Sequence, residues 1–216
     1  MDKNRNGLLT IALPKGRLAD STYALLTAAR IQCPNPAEAG RKLILTDEEL
    51  GIRLILAKPA DVPTYVEYGV ADMGVVGLDT LLEAERNLLE VLDLGIGRCA
   101  LCLCGDPKLL DTWPSLPHKR IGSKYPRYTE RYFIEQMRES VEVIYLNGSV
   151  ELAPLLNLTD MIVDIVESGQ TLRENGLVVL RELTPVSARL VVNQASMRIK
   201  QERINAIISA LSAVVK

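Results

Sequence analysis

The sequence predicts an α/β protein built as two lobes, and three observations carry that expectation. Short apolar runs alternate with amphipathic segments almost throughout, the pattern of sheets with helices packed on their faces. Two segments, around Asn147-Gly148-Ser149 and over 160–176, read as strand–turn–helix units of the kind that hold phosphate, which places ligand at the carboxyl ends of strands. Linkers near 94–98 and 176–183 read as two crossings between lobes. They assign 1–93 with 182–216 to lobe I and 94–181 to lobe II, with the site expected in the cleft.

In chain order, 8–13 is an apolar strand, Lys15-Gly16-Arg17 a turn, and 18–29 a helix with apolar residues at helical spacing. Residues 42–45 and 53–56 read as strands around the acidic Asp47-Glu48-Glu49 turn. Asp61 is placed to cap a helix running through Tyr68, with Pro63 tolerated in its first turn. A strand at 73–76 precedes a helix from Asp79 to near Arg86, and strands at 91–94 and 99–104 follow. Pro107, Pro114 and Pro117 break regularity between Gly105 and Lys119. A short strand at 120–122, a helix at 129–139 and a strand at 141–145 come next. Ser149 is a fair N-cap for the helix after Asn147-Gly148. Strands at 178–183 and 188–192 then lead to one long amphipathic helix over 198–215.

Composition narrows the function classes. The chain has 216 residues, 48% hydrophobic and 24% charged, as expected of a soluble globular protein with a real core. A net charge of −2 gives no global attraction to nucleic acid, and 4% aromatics leaves little for base stacking. No apolar run reaches membrane-spanning length, and Met1-Asp-Lys-Asn-Arg-Asn6 lacks the apolar core of a signal peptide, so a cytoplasmic location is expected. Cys99, Cys102 and Cys104 lie in a strand-like run that points Cys102 and Cys104 one way and Cys99 the other. Cys33 is isolated and His118 is the only histidine, so buried free thiols are expected rather than a metal or redox site. The same scarcity argues against Ser-His-Asp or Cys-His catalysis, and His118 reads as a solvated loop residue.

The most informative stretch is Asp160-Met-Ile-Val-Asp-Ile-Val-Glu-Ser-Gly-Gln-Thr171. Met161 to Val163 is a buried parallel strand, Glu167 to Thr171 a turn, and 172–175 a short helix stopped by Gly176. Backbone N–H groups, the helix dipole and the Ser168 and Thr171 hydroxyls together suit an anion, and Gly169 lets the backbone approach it. Asp164 and Glu167 would repel phosphate but suit ribose hydroxyls, which need acceptors. The pattern resembles the phosphoribosyl-pyrophosphate (PRPP) loop of phosphoribosyltransferases. It differs from the type I loop, which carries two adjacent acids; Val163 stands where the first would be.

Other segments have their own chemical readings. Lys15 and Arg17 sit just past a strand end, where cations reach phosphates or simply make a solvated turn. Arg41 and Lys58 are similar candidates from neighbouring strands. Asp61 is either functional or only a cap. Gly74 and Gly77 allow either close approach of substrate or tight strand packing. Lys124, Tyr125 and Tyr128 line a ligand pocket, or the two tyrosines are core.

Five segments together resemble the short form of ATP phosphoribosyltransferase. They are Ala12-Leu-Pro-Lys-Gly-Arg-Leu18, Lys58-Pro-Ala-Asp-Val-Pro-Thr-Tyr-Val66, Ala71-Asp-Met-Gly-Val-Val-Gly77, Ser123-Lys-Tyr-Pro126 and 160–176, in the family's order and over nearly the whole chain. The resemblance implies a two-lobed fold like the type II periplasmic binding proteins, with the active site in the inter-lobe cleft. It implies attack of adenine N1 of ATP on C1 of PRPP with release of pyrophosphate, the first step of histidine biosynthesis. Adenine N1 carries a lone pair already, so no strong general base is required, which fits a chain with one histidine. Arg41 and Lys58 are then catalytic, facing the leaving pyrophosphate. Lys15, Gly16, Arg17, Gly77, Lys124 and Tyr125 bind ATP or phosphate, and Asp164, Glu167, Ser168, Gly169, Gln170 and Thr171 bind PRPP.

This chain departs from the family at Lys58, commonly Arg, which gives up the bidentate fork, and at Leu78, where relatives often carry Lys. Mg2+ is implied mainly through substrate phosphates, with no dedicated metal site on the protein. The chain ends at Lys216 directly after its terminal helix, so the resemblance implies a separate regulatory subunit related to histidyl-tRNA synthetases. The expected assembly is a homodimer within a hetero-octamer. The competing reading is a non-catalytic solute-binding or effector-sensing domain of the same two-lobed fold, which would have no use for the 164–171 loop. A type I nucleobase phosphoribosyltransferase is disfavoured by the single acid.

Overall fold

A computed structural model describes residues 7–215. Residues 1–6, the stretch tested above for a signal-peptide core, and Lys216 lie outside the described residues. The chain divides into two units, Met1–Gly97 with Ser187–Lys216, and Arg98–Val186.

The first unit is organised by β1 (Leu9–Pro14), whose six residues are all buried because both faces of its sheet are covered. Its neighbours β3 (Ile52–Ala57) and β4 (Met73–Gly77) run parallel to it. β2 (Ile44–Asp47) pairs antiparallel outside β3, while β11 (Ala188–Val192) lies antiparallel between β4 and β5 (Leu89–Asp93). The order is β2-β3-β1-β4-β11-β5. One face packs against α1 (Arg17–Ala28) and the C-terminal α8 (Gln201–Ser212), where Leu26, Ile204, Ile207 and Leu211 meet Leu9, Ile11, Met73 and Leu190. The other face packs against α2 (Val62–Glu67) through Val62 and Val66 on Ala12, Val76 and Val191. Each such side chain stabilises by about 1.5–3 kcal/mol on full burial, so the parallel strands are held from both sides. α3 (Leu78–Ala84) follows β4 directly.

The second unit has the order β10-β6-β9-β7-β8, from β6 (Cys99–Gly105), β7 (Arg120–Ser123), β8 (Glu142–Tyr145), β9 (Met161–Val166) and β10 (Val178–Val186). β7 runs parallel to β8 and β9, and β6 is antiparallel to β9 and β10. Asp160 locks the start of β9 to β7: the Arg120 backbone N–H and guanidinium both donate to its carboxylate, at 2.9 Å each. That partner holds the Asp160 carboxyl below the usual carboxylate range. The helices are α4 (Pro126–Tyr132), α5 (Leu152–Leu155) and α6 (Gln170–Glu174).

Several elements differ from the sequence expectation. The breaks between units fall at 97/98 and 186/187, because Leu94 is buried in the first unit's core and β10 keeps its pairing with β6 to Val186. Asp61 makes no capping bond; it ends a 3-10 turn, Pro59–Asp61, that leads straight into α2. The expected 129–139 helix starts earlier, at Pro126, and its second half is a π-turn, Phe133–Met137. Ser149 sits at φ 49° and does not cap; the helix after it is the single turn α5. The expected 198–215 helix is two, α7 (Gln194–Ile199) and α8, broken at Lys200.

The break at Lys200 has a cause. Its ammonium donates to the carboxylate of Asp72 at 2.7 Å and to the Leu8 carbonyl at 2.7 Å. Asp72, buried ahead of β4, also accepts the Thr10 backbone N–H at 2.8 Å and the Ser196 hydroxyl at 2.7 Å. One carboxylate therefore joins β1, the entry to β4, α7 and α8. Asp72→Ala is expected to destabilise the chain by about 3–5 kcal/mol, because it strands a largely buried ammonium and a buried N–H. Urea unfolding measures this, and a loss below about 1 kcal/mol contradicts it.

Candidate active site

Parallel strands deliver their C-terminal ends, and the loops after them, to one edge of a sheet. In the first unit that edge carries most of the expected cations. Lys15 follows β1 and Lys58 follows β3, and the Lys15 N–H donates to the Ala57 carbonyl at 2.9 Å, tying the two exits together. Arg41 reaches the same edge from the other direction, because it precedes the antiparallel β2 and Leu43 accepts from Leu56 N–H at 2.8 Å. Lys15, Gly16, Arg41 and Lys42 line one open cleft of about 380 Å3, with Asp20, Ala39 and Leu56. Lys42 was expected to be a strand residue. β2 begins only at Ile44, so Lys42 is free to line the cleft; its place beside Arg41 was the only signal.

Gly16 is the N-cap of α1 and sits at φ 89°, ψ −156°, a region that only glycine enters without strain. No side chain caps this helix, and a Cβ on Gly16 would point into open space. The helix start is thus left to backbone N–H groups facing a basic cleft, a favourable arrangement for an anion. Arg17 is the first residue of α1 and is exposed. Gly74 and Gly77 have packing roles: a Cβ on Gly74 would lie 2.7 Å from Val66, and one on Gly77 would collide with the buried Asp79 carboxylate. Leu78, the first residue of α3, is half-buried.

In the second unit the corresponding edge carries the 164–171 loop. β9 continues through Val166, so Asp164 is a strand residue opposite Cys102 while Glu167 and Ser168 are exposed in the turn. α6 starts at Gln170, two residues earlier than expected, with Gly169 at φ 69° as its N-cap. The Gln170 N–H points back to the Ser168 hydroxyl at 3.4 Å. The far end is closed by two bonds, Gly176 N–H to the Arg173 carbonyl at 3.1 Å and Leu177 N–H to Leu172 at 2.9 Å. Leu172 and Leu177 anchor this short helix in the core beside Cys102, Cys104 and Ile162.

Lys124 and Tyr125 leave β7, parallel to β9 and paired with it up to Ser123–Val163, so both loops emerge on one side of the sheet. Ser123 fixes the exit: its hydroxyl donates to the Val163 carbonyl at 2.7 Å and accepts the Tyr125 N–H at 2.9 Å. Lys124 is exposed, whereas Tyr125 and Tyr128 are buried. The Tyr128 hydroxyl meets Thr184 at 2.7 Å, and burial pushes its pKa up to about 12.

Burial pushes Cys33 and Cys102 up to about 11 and Cys104 higher still, and none of the four cysteines is in a disulfide. Cys102 and Cys104 are buried, while Cys33 and Cys99 are half-buried. His118 is an exposed loop residue 3.2 Å from Glu142. Among the described residues no His, Cys, Asp and Glu cluster of three could hold a metal ion, and no helix is long and apolar enough to cross a membrane.

A profile described as ATP phosphoribosyltransferase matches residues 58–213. A protein of that name from Ruminiclostridium cellulolyticum is 56% identical over 203 residues, covering 94% of this chain and 95% of the relative. One from Halalkalibacterium halodurans is 51% identical, covering 97% of each. Among solved structures, the ATP phosphoribosyl transferase (HisG:HisZ) complex from Thermotoga maritima contains a chain 35% identical, with a TM-score of 0.80, covering 96% of this chain and 98% of that one. The periplasmic aliphatic sulphonate binding protein SsuA from Escherichia coli, 13% identical with a TM-score of 0.62, covers 95% of this chain and 72% of that one. It shows the fold alone: a two-lobed, type II periplasmic-binding-protein-like architecture.

The backbone at Gly16 generates a prediction of its own. Gly16→Ala forces an L-residue into a glycine-only region and is expected to lower the unfolding free energy by roughly 1–3 kcal/mol. An unchanged urea midpoint would contradict the strain.

Proposed function

This chain belongs to the ATP phosphoribosyltransferase family, and on that footing we propose how its residues divide the work. The enzyme transfers the 5-phosphoribosyl group of PRPP to N1 of the adenine of ATP, releasing pyrophosphate in the first step of histidine biosynthesis. The observation that carries the residue assignment is the Ser168–Gly169–Gln170–Thr171 turn at the carboxyl end of β9, where hydroxyls and backbone N–H groups gather at a helix start.

Ser168, Gly169, Gln170 and Thr171 hold the 5-phosphate of PRPP, and Asp164 and Glu167 accept from the ribose hydroxyls. Arg41 and Lys58 face the pyrophosphate, with Lys15, Gly16 and Arg17 on the remaining phosphates. Lys124 and Tyr125 serve ATP, Lys124 by its charge and Tyr125 by shaping the exit of β7. Gly77 keeps the end of β4 compact against Asp79.

Adenine N1 presents its lone pair without losing a proton, so no general base is required. The barrier lies in separating pyrophosphate from an oxocarbenium-like sugar. Preorganised positive charge lowers it, since Arg41 and Lys58 interact most strongly with the charge that develops on the departing oxygens. The residues fit Mg2+ carried on substrate phosphates. Asp164 and Glu167 supply hard oxygen donors beside the loop, which suit an ion held mainly by substrate phosphates. When bound, the ion neutralises pyrophosphate charge.

The Thermotoga maritima relative is a complex of two kinds of chain. We extend that to this chain: a cytoplasmic homodimer within a hetero-octamer, with a histidyl-tRNA-synthetase-like regulatory subunit that acts by binding two states differently.

Thr171→Val tests the loop. Losing a hydrogen bond to a charged phosphate costs roughly 1.5–3 kcal/mol, so PRPP should bind about ten- to hundredfold more weakly with the fold intact. An unchanged PRPP dissociation constant would overturn the assignment.

A further inference from the structure

We propose that Arg173 is a positioning residue for the PRPP loop, a role that rests on the loop reading above and deepens it. Arg173 lies in α6, one turn past Gly169, and its side chain folds back rather than out. One guanidinium nitrogen donates to the Ser168 carbonyl at 3.0 Å, closing a ring across the turn from residue 168 to residue 173. Its backbone N–H donates to the Gly169 carbonyl at 3.1 Å, so two consecutive turn carbonyls are satisfied by one residue. The same guanidinium nitrogen occupies the space beside Gly169: a Cβ there would lie 3.1 Å from it. The glycine therefore meets two needs at once, a φ of 69° and room for the Arg173 clamp.

The neighbouring side chains are committed along the helix rather than across the turn. Gln170 donates to Glu174 at 2.8 Å, and Asn175 donates to the Thr171 carbonyl at 2.9 Å. Within the turn the Ser168 hydroxyl accepts the Gln170 N–H at 3.4 Å, and Arg173 adds the longer tie from the helix back to residue 168. Its remaining guanidinium N–H groups meet no other protein acceptor among the described residues. With the Ser168 carbonyl turned onto the guanidinium, the Gln170 N–H and the Ser168 hydroxyl are ordered before an anion arrives, and a fixed positive charge lies beside the loop. Preordering lowers the entropy cost of binding at the phosphate without any change in what the phosphate touches.

The test compares Arg173→Ala, Arg173→Met and Arg173→Lys by equilibrium binding of PRPP and of ATP, with Thr171→Val as the control. Ala and Met are expected to weaken PRPP binding about tenfold, as for loss of one charged hydrogen bond. ATP affinity and the unfolding midpoint should stay unchanged, and Lys should restore most of the PRPP affinity. Unchanged PRPP affinity in Arg173→Ala overturns the inference. So does equal weakening of ATP, or failure of Lys to recover more than Met. Thr171→Val separates the two claims. If it weakens PRPP while Arg173→Ala does not, the loop binds phosphate and Arg173 does not position it. If neither weakens PRPP, the loop assignment itself fails.

Discussion

The first unit depends on one buried carboxylate. Its chain leaves after Gly97 and returns at Ser187, so β11 must be inserted between β4 and β5 by a segment distant in sequence. Asp72 fixes that return, binding the Thr10 N–H, the Ser196 hydroxyl and the Lys200 ammonium at 2.7–2.8 Å. A second junction supports it at the other end of β11, where the Ser187 hydroxyl donates to Asp93 at 2.7 Å and the Arg189 guanidinium lies 3.1 Å from the same carboxylate. A buried, paired charge is costly to break and specifies one register. Asp72 sits beside the strands whose exits carry the cations, since Thr10 lies in β1.

On the proposed reading, the chemistry follows from those exits. Lys15, Arg41 and Lys42 meet at one edge because β1 and β3 are parallel and β2 runs back against them. The loop of the second unit follows the same rule at the end of β9. Neither site contains a strong base or an activated thiol, and the transfer to adenine N1 needs neither. What it needs is positive charge and N–H groups fixed ahead of the reaction, so that little reorganises as pyrophosphate departs.

Much of this was legible in the sequence, and for a physical reason. β1, β3, β4, β6 and β11 are apolar runs interrupted by at most one polar residue each (Thr10, Arg53 and Arg189), a pattern that buried strands allow. The 160–176 loop was legible because the turn, the glycines and the hydroxyls are local to one segment. What escaped depends on partners far along the chain. Lys200 interrupts the terminal helix only because Asp72 lies 128 residues away. The packing of Gly74 and Gly77 shows only once Val66 and Asp79 lie beside them. Asp61 has a cap's residue type, but the 3-10 turn before α2 takes its place. Lys42 joined the cleft only when β2 was found to start two residues later, at Ile44. The Arg173 clamp spans five residues and follows no helical spacing rule, since it reaches a carbonyl outside the helix.

The most direct measurement is the transfer itself. The purified chain is incubated with ATP, PRPP and Mg2+, alone and with the proposed histidyl-tRNA-synthetase-like partner, and pyrophosphate and the N1-phosphoribosyl adduct of ATP are quantified together. The result expected is the two products in equal amounts, at a rate that rises when the partner is added, with histidine inhibiting only the complex. No adduct under either condition would contradict the assigned chemistry, and full activity with histidine inhibition in the isolated chain would contradict the division of labour between the two subunits.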